Sequence, residues 1–455
     1  MKYLFLAAFA GFLGLYAVAL ATLKPQAGSD EVVLRWATDP NPARDRQTDG
    51  FDQAHPGIRV VTETGDPTKL LVQCATGVGP DVMDISESLM NSMVQAGLLL
   101  DLTELSEEHG FDVSKTYPAI RQALTVDGRQ YRFPANVNVQ AVLYNKAIFD
   151  DHGVPCPQEG WTWDDFVAAG RAIAETPSKS GKKHLAVAHW SPQDLFLDLL
   201  VAHGGRFFSA DGMTSLLDSP EAIAAFRHYH DLMFKHRVLP TPEQSVAMSS
   251  QGGWGSGGIN WFASGDAAMI MIGRWFTVQA ANFPELRGNL AAARLPRLPG
   301  RPSRGFTRAR GVGVNAKTRH PEAAVKFLKH LTSPGYGRSV VEDGDSLPPN
   351  PQMAADGAAL VNAGGPDPAF HQVFVDAIGD AVPPDTSPFV DAAQVQRWIV
   401  ESLGRLENRV VTPEEAGRQL AAEINRAITR NIAREPVLRA RAQALQSSAT
   451  RPPDS

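Results

Sequence analysis

The chain has 455 residues, 43% of them hydrophobic and 20% charged, a formal net charge of −6 and two cysteines. Single cores stop growing near about 250–300 residues, so this length implies two core-bearing units. A negative balance with no block of like charge excludes a nucleic-acid binder, which needs a clustered Lys/Arg face to neutralise phosphates.

After Met1-Lys2 an apolar run extends from Tyr3 to Leu23 and closes at Lys24. Such a run is either a secretory signal peptide or an N-terminal membrane anchor, and both export the remainder. Ala19-Leu20-Ala21 has the small-x-small pattern of a cleavage site. The run nevertheless exceeds the ~7–15 residues of a signal core and approaches the ~20 of a span. Residues 1–23 are therefore read as one or the other, and no cysteine there is available for lipid attachment.

Beyond it, strands and helices alternate. "EVVLRWATD" reads as a strand, "NPARDRQTDGFDQAH" as a helix, "IRVVTET" as a strand, "PTKLLVQCATG" as a helix, "DVMDIS" as a strand and "ESLMNSMVQAG" as a helix. That order implies a parallel sheet covered by helices, with ligands held beyond the carboxyl ends of its strands. Thr38, Asp39, Ser86 and Glu87 would stand there, unless Asp39 and Glu87 only cap the helices that follow. "FPANVNVQAVLYNKAIFDDHG" is an apolar strand leading into a helix, and alternation places Asn136 and Asn138 on one of its faces. Their amides require partners or water. Cys74 falls in a helix and Cys156 in the Pro-flanked "VPCPQ", a pair that suits neither a disulfide framework nor a zinc site.

Further on, Thr162 and Asp165 form a capping box. "SPEAIAAFRHYHDLMFKH" is amphipathic, and His228 and His230, two residues apart, diverge rather than share a metal. "RGVGVNAKTRHPEAAVKFLKHLTSPG" is a strand plus a helix that Pro321 opens and Pro334-Gly335 stops. "TPEEAGRQLAAEINRAITRNI" is a helix capped by Thr412 and Glu415, and residues 447–455 are read as a disordered tail.

Signatures of phosphate-binding loops, nucleophile elbows, zinc proteases and dinucleotide folds are absent, so neither an enzyme nor a cofactor or metal is expected. Aromatic and amide side chains stand out instead: Trp36, Trp190, Trp254, Trp261 and Trp275 with Asn136 and Asn138. Flat aromatic faces against sugar C–H faces, with amides and carboxylates for hydroxyls, are the parts of a carbohydrate pocket. Taken alone, Trp36 and Trp261 read as core aromatics.

The stretches "GVGPDVMDIS", "DGRQYRFPANVNVQAVLYNKAIFDDHGVPCPQEGWTWDDF", "FASGDAAMIMIGRW" and "RGVGVNAKTRHPEAAVKFLKHLTSPG" resemble, in order and spacing, the extracellular (periplasmic) solute-binding proteins of carbohydrate ABC transporters. This is the group that includes the maltose-binding protein, and the likeness runs from about Val32 to Arg434. It implies an α/β, two-lobed periplasmic-binding-protein fold with a hinge and an interlobe ligand cleft. Lobe 1 would combine residues 31–138 and 306–344, and lobe 2 residues 139–305 and 345–440. It also points to Asp39, Ser86, Glu87, Asn136, Asn138, Trp190, Trp275, Arg308 and Arg310 as ligand-binding residues. Where many relatives carry Pro or Ser, this chain has Arg274, which would either enter the pocket or face solvent. Arginines in the cleft would suit an acidic or phosphorylated sugar. The Gly252–Gly258 run would be a lid or an insertion. The function implied is that of a monomer that binds a sugar and delivers it to membrane permease subunits. Competing readings are an anchored protein serving a sensor receptor, and an exported carbohydrate-active enzyme using two of Asp39, Asp84 and Glu87.

Overall fold

The computed structural model describes residues 31–449 other than 40, 42, 249–256, 281, 358–365 and 384. The Tyr3–Leu23 run, Trp254, most of the Gly252–Gly258 run and residues 450–455 lie outside them. Among the described residues no helix is long and apolar enough to cross a membrane.

The alternating first third folds as its pattern demands. β1 (Val32–Thr38) pairs in parallel with β2 (Ile58–Thr64) and β3 (Val82–Ile85), and the helices Ala43–Ala54 and Pro67–Thr76 form the crossovers. A small hairpin, β4 (Thr125–Val126) and β5 (Arg129–Gln130), turns through Asp127-Gly128 at φ 51° and 78°, the positive values that a tight hairpin turn requires.

The strand containing both asparagines organises the rest. β6 (Arg132–Asn145) is 14 residues long and buried along almost its whole length, which its continuous apolar run permits. Through Val139 it pairs with β10 (Thr307–Val314); from Gln140 onward it pairs with β8 (Ala267–Gly273), while β9 (Leu290–Ala293) joins at Val142–Asn145. β7 (Leu185–Ala188) lies parallel to β8, completing the order β2-β1-β3-β10-β6-β8-β7 with β9 on β6.

Four apolar clusters are present among the described residues, and three of them follow the run of the sheet. Trp36, Phe51, Phe133 and Phe327 pack on the β1–β3 side. Phe149, Phe166, Phe196, Phe226, Leu403 and Ile424 pack on the far side. Between them Val137, Val139, Ala309 and Leu347, all on segments that pass from one lobe to the other, pack with Ile270, Phe276 and Phe374. Val137 and Leu347 exchange backbone hydrogen bonds of 2.8 and 2.9 Å, tying two of the crossings together.

The capping boxes at Thr162 and Thr412 are present, Cys74 and Cys156 are free, and His228 turns toward His203 while His230 turns toward Phe234. Two readings of the sequence are corrected. Pro334 does not merely stop a helix: Ser333 accepts from Tyr336 N and a new helix, Pro334–Glu342, begins there, because proline is as well suited to a first turn as to a terminus. The tail does not begin at Ser447, since the helix Pro436–Ala449 runs through it and buries Leu438 and Ala442 against the second core.

Candidate ligand-binding cleft

A cleft of about 530 Å³ opens beyond the carboxyl ends of β1 and β3, over the crossing formed by β6 and β10. All nine residues picked from the sequence, Asp39, Ser86, Glu87, Asn136, Asn138, Trp190, Trp275, Arg308 and Arg310, line it. Their circumstances differ.

One wall is a chain of alternating charges. Arg44 donates to Asp39 Oδ1 at 2.6 Å and to Asp345 Oδ2 at 2.6 Å. Arg310 Nη1 reaches Thr38 Oγ1 at 2.9 Å, Asp39 Oδ1 at 3.0 Å and Asp84 Oδ2 at 3.4 Å. Asp84 also accepts from Trp36 Nε1 at 2.9 Å and Thr38 Oγ1 at 2.6 Å. In the resulting order, Asp345, Arg44, Asp39, Arg310, Asp84, each guanidinium lies between two carboxylates. Burial alone would push the Asp39 carboxyl up, but Arg310 and Arg44 outweigh it and hold it below its ordinary range. Asp345, fully buried, is held well below that range by the same arginines. For Asp84 burial wins and the carboxyl is raised despite Arg310.

Neither carboxylate near a helix start is a cap. Asn41 supplies the cap bond before Ala43–Ala54, accepting from Ala43 N at 2.9 Å. Glu87 opens the helix Glu87–Gln95 but pairs at 3.2 Å with Arg132, a guanidinium with no exposed surface. The β10 bulge at Arg310/Gly311 makes room for it, since a Cβ on Gly311 would lie 2.4 Å from Arg132 Cδ. Ser86 caps nothing with its side chain and sits 2.8 Å from Ser88 Oγ. Arg308 pairs with Asp194 at 3.1 Å and lies over the Phe306 ring.

The opposite wall is aromatic. Trp190, 37% exposed, and Trp275 meet edge to face with centroids 5.5 Å apart. A Cβ at Gly273 would fall 1.9 Å from Asn138 Oδ1 and 2.7 Å from Trp275 Cδ1, so only glycine lets amide and indole share that corner. The two asparagines part company. Asn136 is buried and donates to Asp345 Oδ2 at 2.9 Å, whereas Asn138 Oδ1 has no hydrogen-bond partner among the described residues. Arg310 Nε and Nη2 are likewise without one. These three atoms, one acceptor beside the aromatic wall and two donors on the charged one, are both unpaired and buried.

Arg274 overturns both alternatives read from the sequence: it neither enters the pocket nor faces solvent. It is buried and donates to the carbonyls of Asp345, Ser346 and Val341, while Thr277 Oγ1 donates to Gly344 O. A cation suits the carbonyl end of the helix Pro334–Glu342, and burial lowers it to about 10. Trp36 is a core residue, and Trp261 does not line the cleft. The sequence reading missed Arg44 and Asp345. The one local hint was a charged residue beside Ala43, Gln47 and Phe51 on the buried face of its helix. Among the described residues no group of three or more His, Cys, Asp or Glu could hold a metal ion.

Two α/β lobes joined by crossing strands, with a polar wall facing an aromatic one, define a hinged ligand-binding protein. The chain belongs to the family of bacterial extracellular solute-binding proteins, matching it over residues 37–338. It is 26% identical over 293 residues to an arabinooligosaccharide-binding protein of Halalkalibacterium halodurans, covering 62% of this chain and 59% of that protein. It is 27% identical over 283 residues to a maltodextrin-binding protein of Bacillus subtilis, covering 60% and 61%. The match thus spans about three-fifths of the length of these relatives. An ABC substrate-binding protein of Listeria monocytogenes in complex with cycloalternan has the same fold, with a TM-score of 0.74, 23% identity, and 88% of this chain and 99% of that one covered.

Proposed function

We propose that the protein captures a neutral oligosaccharide in this cleft and delivers it to the membrane permease of an ABC uptake system. The observation that carries the reading is the pairing of a polar wall whose arginines are all bound to carboxylates with the Trp190–Trp275 wall. Every arginine of the cleft already has a carboxylate, which favours hydroxyl groups over the acidic or phosphorylated sugar that bare arginines would have suited. The partly exposed Asp39 carboxylate accepts hydrogen bonds from hydroxyls, and the indoles cover a sugar C–H face. A pure binding role is supported by the lack of an idle carboxylate pair: Asp39 and Asp84 share Arg310, and Glu87 is paired with Arg132. Lobe 1 is taken as 31–138 plus 306–344, and lobe 2 as 139–305 plus 345–440. The change of partners after Val139 and the Gly344–Leu347 segment are the hinges of a closure driven by better ligand contacts in the closed state. The family places such proteins outside the cytoplasm, in keeping with an exported chain.

The test is calorimetry and thermal shift against neutral oligosaccharides, uronates and sugar phosphates. Neutral sugars should raise the midpoint by mass action while their charged analogues do not. Preference for the phosphates, or hydrolysis of a glycoside, would overturn the reading.

A further inference from the structure

We infer that the cleft continues past Glu87 and Arg308 into an apolar side chamber that receives an aromatic or short acyl substituent carried by the saccharide; the inference rests on the sugar reading above. Glu87 and Arg308 line both spaces, so the two adjoin. The chamber encloses about 60 Å³. One water needs about 10–15 Å³ and a benzene-binding cavity is about 150 Å³, so there is room for a short acyl group or for part of a ring.

Leu197, Phe207, Phe208, Val390, Val395 and Ile399 form its walls. Several polar groups at its edge, among them Asp385, Ser387 and Arg308, are already bonded. Asp385 accepts from Arg206 at 3.0 and 3.1 Å and from Phe207 N at 3.2 Å. Ser387 Oγ donates to Gly212 O at 2.6 Å and accepts from Phe389 N at 3.1 Å. Arg308 is held by Asp194. A sugar hydroxyl placed against the apolar walls would leave water without an equivalent partner, whereas an apolar group gains by entering. A polar mouth leading to an apolar interior matches a glycoside whose sugar stays in the cleft and whose aglycone points past Arg308.

The chamber also lies between the lobes. Glu87 and Ser88 come from the first lobe, and the apolar walls from the second. Nearby, Ser92 Oγ is 3.5 Å from Asp391 Oδ2, so the approach of the lobes that encloses the cleft also closes the chamber.

Methyl and phenyl glycosides of maltose, lactose and N,N'-diacetylchitobiose, titrated calorimetrically into the full chain, test the inference. For a sugar that binds, the phenyl glycoside should bind about tenfold tighter than the methyl one, as expected for burying part of a ring. Ala392→Leu fills the chamber from its rim and should erase that gain while leaving the methyl glycoside and the thermal midpoint unchanged. Equal affinities in the unmodified protein would overturn the chamber alone. So would a phenyl gain that survives Ala392→Leu, which would place the ring on Trp190 and Trp275 instead. If no glycoside or parent sugar binds, the sugar reading falls and the chamber with it.

Discussion

Arg310 and Trp275 face the same cleft from opposite walls and are held in opposite ways. Arg310 is fixed by charge: Asp39 and Asp84 grip one of its nitrogens, Trp36 lies beneath it, and Asp39 is braced through Arg44 to a fully buried Asp345. Trp275 is fixed by fit: a bare glycine corner, a half-exposed neighbouring indole, and the preceding arginine clamped to backbone carbonyls. The charged wall invests its interactions within the protein and offers few to a ligand; the aromatic wall does the reverse. Damage to the first should therefore appear as lost stability, and damage to the second as lost affinity.

The largest expected effect tests the first half of that contrast. Asp345→Ala strips the buried partner from Arg44 and the acceptor from Asn136 and Gln47. Leaving a buried guanidinium with only the partly exposed Asp39 as its carboxylate should cost about 3 kcal/mol in urea unfolding. A loss below about 1 kcal/mol would mean that the network is held by solvent rather than by its own charges.

Trp275→Ala probes the other half. Truncating an aromatic anchor should weaken sugar binding roughly a hundredfold, about 2.7 kcal/mol, with a smaller change in unfolding because the indole is only half-buried. Unchanged affinity by calorimetry, with stability lost instead, would reverse the assignment of roles.

That contrast also explains what the sequence could disclose. Strand and helix alternation is local, so β1 to β3 and their crossovers are legible, and the rule of carboxyl-end loops finds Asp39 and Glu87. Trp190 and Trp275 follow from the resemblance to known relatives. The pair Arg44 and Asp345 is separated by 301 positions, and no periodicity relates residues brought together only by the fold. Arg274 misleads for a related reason. A guanidinium is expected at a surface, and its burial makes sense only once three carbonyls from a segment about 70 positions away are seen to surround it. Pro334 and Pro436 show a local ambiguity, since the same residue ends one helix or begins the next according to the packing that follows.

Acid titration, read one histidine at a time, gives the smallest predicted effect, about 2 kcal/mol between pH 5 and pH 6.5, and separates buried imidazoles from raised carboxylates by sign. His189, next to Trp190, and His330 and His371 elsewhere in the fold are each lowered to about 4, chiefly by burial. His228 is lowered to about 3 by burial and by His203 and His236 facing it. An imidazole whose native value lies below its unfolded value of about 6.5 stays neutral in the fold while the unfolded chain takes up the proton. Its contribution is whole above about pH 6.5 and is lost as pH falls from there toward 4, by up to about 1.4 kcal/mol per pH unit for each such group. Asp39 and Asp345, held low by their arginines, keep their charge through this window. Asp84 and Asp198, raised by burial, act with the opposite sign: the unfolded chain gives up their protons first as pH rises, which favours the fold in acid. A thermal midpoint that climbs between pH 5 and pH 7, and climbs less steeply in His228→Asn, is the outcome in which buried histidines dominate. A midpoint that falls over that interval would put the raised carboxylates in control and make the charged wall the pH-sensitive one.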